Sequence, residues 1–99
     1  MTLDHLNTAV FSEHLKTPFR VRVGEDRTLD IELIEVAPGR STPRQEQFSI
    51  LFHGPSDIFL PQRIYQIEHD VLGCLDLFLV PVGRQEDGFL YEAVFNRLR

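Results

Sequence analysis

The 99-residue sequence has one cysteine, one lysine, one methionine and no tryptophan. A single cysteine, Cys74, excludes an internal disulfide and suits a reducing compartment, so the expected setting is cytoplasmic. No apolar run approaches the roughly 20 residues of a membrane-crossing helix. The longest clean run, Leu77 to Val82, is the length of a strand. Asp4 and His5 interrupt the front of the chain, so we expect no secretory leader. Positive charge is also scarce, with a net charge of −5 and nine arginines that mostly alternate with acids. Nucleic-acid binding calls for a basic stripe that neutralises phosphates, so neither nucleic acid nor membrane is expected as a partner. No glycine-rich loop leads from a strand into a helix, which leaves no phosphate cradle.

The composition, 42% hydrophobic and 25% charged, is that of a folded chain. Its length fits one domain, residues 1–99, with one core. Near the front, Asn7 has the chemistry of a helix N-cap, because its side chain can accept from an orphan amide of the first turn. Leu6 and Phe11 have the spacing of a hydrophobic staple, and Val10, Phe11 and Leu15 share a helical face. Thr17-Pro18 is expected to end the helix, since a residue before proline is pushed out of helical geometry. His14 beside that face reads as a partly covered surface histidine.

From Phe19 the period becomes two. Phe19, Val21 and Val23 alternate with Arg20 and Arg22, then Leu29, Ile31 and Leu33 alternate with Asp30 and Glu32. A three-residue loop at Glu25-Asp26-Arg27 would pair Val21 with Ile31 and set Arg22 opposite Asp30 and Arg20 opposite Glu32. The alternation changes phase after Leu33, which predicts a bulge at residues 33–35. Further strands are expected at Gln47–His53, Arg63–His69, Cys74–Val82 and Phe89–Asn96. Polar turns at Pro38–Pro43 and Gly83–Gly88 join some of them. The expected fold is mainly β: a six-stranded antiparallel small barrel or sandwich with one short N-terminal helix. Val21, Ile31, Leu33, Phe52, Ile67, Leu77 and Tyr91 are the expected core, with Phe11 packed against it.

Two stretches carry more apolar surface than a half-buried sheet needs. The last two strands, with Phe78, Val80 and Phe89, are apolar on both faces, so either the helix or a second subunit should cover one face. Pro81 marks a bulge or an edge, because proline cannot donate to the ladder. The loop from His53 to Gln62 places Ile58, Phe59 and Leu60 between two prolines. It is either a plug for the end of the sheet or a binding loop.

Catalytic and metal chemistry find little support. His53, Ser56 and Asp57 are close in sequence, but a triad requires mutual geometry, and Gly54-Pro55-Ser56-Asp57 is better explained as turn chemistry. Glu68, His69, Asp70 and Cys74 form the densest set of potential metal ligands. Neighbouring strand residues point to opposite faces, however, and no paired zinc-type spacing occurs. Cys74 has no basic neighbour in sequence to activate it. We expect no catalytic residue, cofactor or metal.

Six phrases occur together in order: Thr17-Pro18-Phe19-Arg20-Val21, Leu51-Phe52-His53-Gly54-Pro55, Phe59-Leu60-Pro61-Gln62, Tyr65-Gln66-Ile67-Glu68-His69, Leu77-Phe78-Leu79-Val80-Pro81-Val82-Gly83 and Tyr91-Glu92-Ala93-Val94-Phe95-Asn96. In them the chain resembles a family of short bacterial proteins catalogued only as a domain of unknown function. The resemblance implies no reaction, cofactor or catalytic residue. It carries an association with phage-tail-like or collar-type gene neighbourhoods, which implies a role in assembly.

The leading functional expectation is a non-enzymatic interaction or assembly domain, binding another protein or itself as a homodimer, in the setting of a tail-like particle. The candidate binding surface is Ile58, Phe59, Leu60, Tyr65, His69, Phe78 and Val80. The second expectation is a small-ligand-binding barrel with its mouth near Phe59, Tyr65 and His69. A third, a small hydrolase, would need His53, Asp57 or His69 in a cleft beside a nucleophile.

Overall fold

The computed structural model describes residues 7–39 and 42–98, with side chains described as far as residue 96. Helix α1 (Thr8–Ser12) precedes six strands: β1 (Pro18–Arg22), β2 (Thr28–Pro38), β3 (Gln45–Pro55), β4 (Arg63–His69), β5 (Gly73–Gln85) and β6 (Gly88–Leu98). All pairings are antiparallel, and the single sheet closes in a ring of order β1-β2-β3-β6-β5-β4. Curvature comes from two irregularities, between Leu33 and Glu35 and between Pro81 and Gly83. A bulge bends the strand that carries it, and a ring needs such bends to close. The phase change after Leu33 and the proline in β5 had pointed to both.

Alternation places the core inside the ring. Val21, Ile31, Leu33, Phe52, Ile67, Leu77 and Tyr91 are all buried, as expected, and Phe19 joins them. Phe19 meets Phe52 edge-on at 5.1 Å between ring centres, a favoured aromatic geometry. Gly54 is required here, because a Cβ on it would lie 2.9 Å from the Tyr91 ring and 3.1 Å from Ile31.

Helix α1 is shorter than the sequence suggested. Asn7 caps it as expected, its Oδ1 accepting from Val10 N–H at 2.9 Å. The helix ends at Ser12, not at Thr17-Pro18. Lys16 adopts a left-handed conformation (φ 64°) and donates its N–H to Leu33 O, which turns the chain into β1. Leu15 therefore leaves the helical face and is exposed. The expected staple residue Leu6 lies outside the described residues. Phe11 is fully buried against Phe48 and Phe95, at 6.1 and 5.4 Å, so α1 covers the end of the ring.

The β1–β2 register differs from expectation by two residues. Phe19 pairs with Ile31, Val21 with Leu29 and Arg20 with Asp30. The loop is Gly24-Glu25-Asp26, closed by Val23 N–H donating to Arg27 O, one residue earlier than predicted. A shift of two keeps every side chain on its face, so hydrophobic alternation cannot exclude it. The expected charge partners on β2 are not the ones the arginines take. Arg20 contacts Asp70 at 2.9 Å and Glu68 at 3.9 Å, and Arg22 contacts Glu68 at 3.3 Å. These pairs cross the seam where β4 meets β1, a ladder of only Arg20–Glu68 and Val21–Ile67. Each is partly exposed and contributes about 0–1 kcal/mol.

The last hairpin is tighter than expected. The segment predicted as a polar turn, Gly83–Gly88, continues both strands, and the turn is reduced to Glu86-Asp87. Gly88 is paired with Pro55, and a side chain on it would collide with the Gly54 carbonyl and the His53 ring.

Candidate functional site

Three regions gather the residues singled out from the sequence. The first is the outer face of β4, β5 and β6. Ile64 and Phe78 stand opposite one another in the β4–β5 ladder, and Phe78 and Val94 border one shallow groove. All three are exposed, at 67%, 48% and 49%, and Val80 beside them is half-buried. Helix α1, seated on the end of the ring, does not cover this face. The sequence left helix and second subunit as alternative covers for one face of this hairpin; the helix meets β6 at Phe95 and leaves Phe78 and Val94 exposed. The β5–β6 ladder runs from Gln85–Gly88 to Val80–Glu92. Among the described pairings, Gly73–Leu79 is laddered only to β4, and residues 93–98 only to β3. The groove runs along this split and has backbone edges as well as apolar side chains.

The second region is the loop after β3. Leu60 is buried, and its N–H donates to the Tyr91 hydroxyl at 2.9 Å, which pins the loop over the end of the ring. Burial raises the Tyr91 pKa, and the Leu60 hydrogen bond opposes that rise. Ile58 is half-buried and Phe59 is 52% exposed, set edge-on to Phe89 at 5.2 Å. The loop is thus a plug at Leu60 and an open wall at Phe59. Beneath it lies a cavity of about 330 Å3 whose apolar lining includes Val23, Ile58, Phe59, Leu60 and Tyr65. Two arginines, Arg27 and Arg63, complete the rim. The Arg63 guanidinium lies over the Tyr65 ring at 4.8 Å, and the Tyr65 hydroxyl donates to Pro61 O. Burial raises the Tyr65 pKa, and Arg63 opposes it.

The third region surrounds His69. The ligand-site expectation grouped it with Phe59 and Tyr65, but it lies at the far end of β4 from Arg63 and does not line that cavity. It is buried, with Nδ1 accepting from the N–H groups of Val71 and Leu72 at 3.1 Å each. Nε2 lies 3.0 Å from Thr17 Oγ1, whose own hydroxyl donates to His14 O. With Nδ1 accepting, the proton belongs on Nε2 and the imidazole is neutral. Its pKa is lowered first by burial and then by His14, 4.7 Å away between ring centres. His69 is a structural cap for the Asp70–Leu72 turn.

The hydrolase candidates do not converge. His53 is bonded to Asp87 at 3.2 Å, while Ser56 and Asp57 are exposed in the turn. A cavity of about 390 Å3 beside His53 is lined by Lys16, Asp30, Glu32 and Asp87, and among the described residues no hydroxyl or thiol side chain lines it. Glu68 and Asp70 serve the arginines of β1, and Cys74 is exposed. No helix among the described residues is long and apolar enough to cross a membrane.

Sequence reasoning missed the cationic rim and the β5–β6 split. One signal for the rim was available: the inward row of β4 reads Arg63, Tyr65, Ile67, His69, and a charge heading a buried row is out of place there. Nothing local marked Arg27 or Asp87.

This closed six-stranded sheet with its end-capping helix is matched over residues 6–95 by the family described as Domain of unknown function (DUF6916). The chain belongs to that family. No curated protein and no solved structure matches it.

Proposed function

We propose that this protein is a non-enzymatic interaction domain that assembles through the outer face of β4, β5 and β6. The observation that carries the reading is the apolar band Ile64–Phe78–Val94 beside the β5–β6 split, left exposed among the described residues. Contiguous apolar surface next to unpaired strand edges is an aggregation hazard unless a partner occupies it. A second copy of the chain is the simplest occupant, because twofold pairing of identical surfaces is the commonest form of assembly. A cytoplasmic setting agrees with the lone exposed thiol of Cys74. Assembly into a tail-like particle rests on the family resemblance alone.

Sedimentation equilibrium tests this. The wild-type chain should self-associate at micromolar concentration, and Phe78→Glu should yield a folded monomer. Arg44→Glu, in the exposed turn before β3, should change nothing. Each copy carries a net charge of −5, so association should tighten as salt rises from about 0.01 to 0.1 M and the Debye length falls from about 30 to 10 Å. A wild-type protein that stays monomeric under these conditions would sink the self-assembly reading.

A further inference from the structure

We propose that the cavity beneath the 56–62 loop is a binding site for a small amphipathic anion, an apolar and preferably aromatic body ending in a carboxylate. This site is separate from the outer face of the sheet, and its argument is independent of self-assembly.

The cavity, about 330 Å3, falls at the lower end of the roughly 300–1,000 Å3 range of small-molecule sites. Val23, Ile58, Phe59, Leu60 and Tyr65 give it apolar wall, and the two charged residues that line it among the described ones, Arg27 and Arg63, carry the same sign. That is notable in a chain with fifteen acids and ten basic residues. Glu25, Asp26 and Asp57 are near in sequence, yet none lines the cavity. Among the described residues the ion pairs of the sheet occupy Arg20 and Arg22, and none involves Arg27 or Arg63. A guanidinium offers a planar fork of donors that matches a carboxylate.

Preorganisation favours the same assignment. Leu60 N–H on Tyr91 fixes the inner wall, and Arg63 is already seated on the Tyr65 face. The Tyr65 hydroxyl is spent on Pro61 O, so the head group falls to the two arginines. Phe59, braced edge-on by Phe89 but half-exposed, leaves a ring available to cover an occupant.

Three probes with one apolar body and different heads test the proposal: naphthalene-2-carboxylate, naphthalene-2-carboxamide and naphthalen-2-ylmethylammonium. Each is titrated into 15N-labelled wild-type protein up to about 1 mM, a weak but measurable affinity. The carboxylate should shift the amides of Val23, Ile58 and Tyr65 and bind at least about ten-fold tighter than the other two. In the doubly substituted Arg27→Gln, Arg63→Gln protein that preference should vanish, with the rest of the spectrum unchanged. Equal affinity for the three probes would overturn the proposal. So would shifts confined to Arg27 and Arg63, shifts centred on Phe78 and Val94, or no shift at all.

Discussion

Removing one oxygen from Tyr91 should release the loop that roofs the cavity. Tyr91 is fully buried, and its hydroxyl accepts the N–H of Leu60, itself only 3% exposed. In Tyr91→Phe the ring still fills its place, but Leu60 N–H is left buried without that partner. A net hydrogen bond is worth about 0.5–1.5 kcal/mol, and stranding a buried donor raises the cost to about 1–3 kcal/mol. The control is Tyr65→Phe, which removes a bond to the carbonyl of exposed Pro61. Water can replace that bond, so the loss should stay under about 1 kcal/mol. Urea denaturation gives both values, provided the slope stays constant between variants. Amide exchange at Leu60 adds a local reading and should quicken about ten-fold or more in Tyr91→Phe, since 1.4 kcal/mol is a factor of ten. Equal destabilisation by the two substitutions, or unchanged exchange at Leu60, would refute the reasoning.

Phe11→Ala removes a fully buried ring from between Phe48 and Phe95 and should cost about 3–5 kcal/mol, read from the urea midpoint. Gly54→Ala forces a methyl to within 2.9 Å of the Tyr91 ring and should cost about 1–3 kcal/mol by the same measurement. Acid should weaken the fold through His69, whose folded pKa is below its unfolded value of about 6.5. Between those two values the unfolded chain binds the extra proton, so this stability is fully present above about pH 6.5 and is lost as pH falls through the depressed folded pKa. A His69 ring that titrates by NMR at or above 6.5 would contradict the neutral, twice-accepting imidazole.

Period-two alternation let the sequence by itself determine which face each strand residue occupies, and so the core, the β4 boundaries and the bulge after Leu33. The Asn7 cap was equally legible, because a cap and its first turn are neighbours in the chain. Register was not. A two-residue slip of β1 against β2 preserves every inward and outward position, so alternation has no power to reject it. What chose the register was the turn at Gly24-Glu25-Asp26. The salt bridges followed from ring closure, which brought Glu68 and Asp70, more than forty residues away, beside Arg20 and Arg22. The candidate sites divide in the same way. Phe78 and Val80 could be recognised as excess apolar surface because the excess is a property of one strand. The cationic rim joins the β1–β2 turn to the start of β4, and the open groove exists only where β5 leaves β6 at Val80. Local patterning decides which side of a strand faces water, whereas the meeting of distant charges depends on how the strands close into a ring.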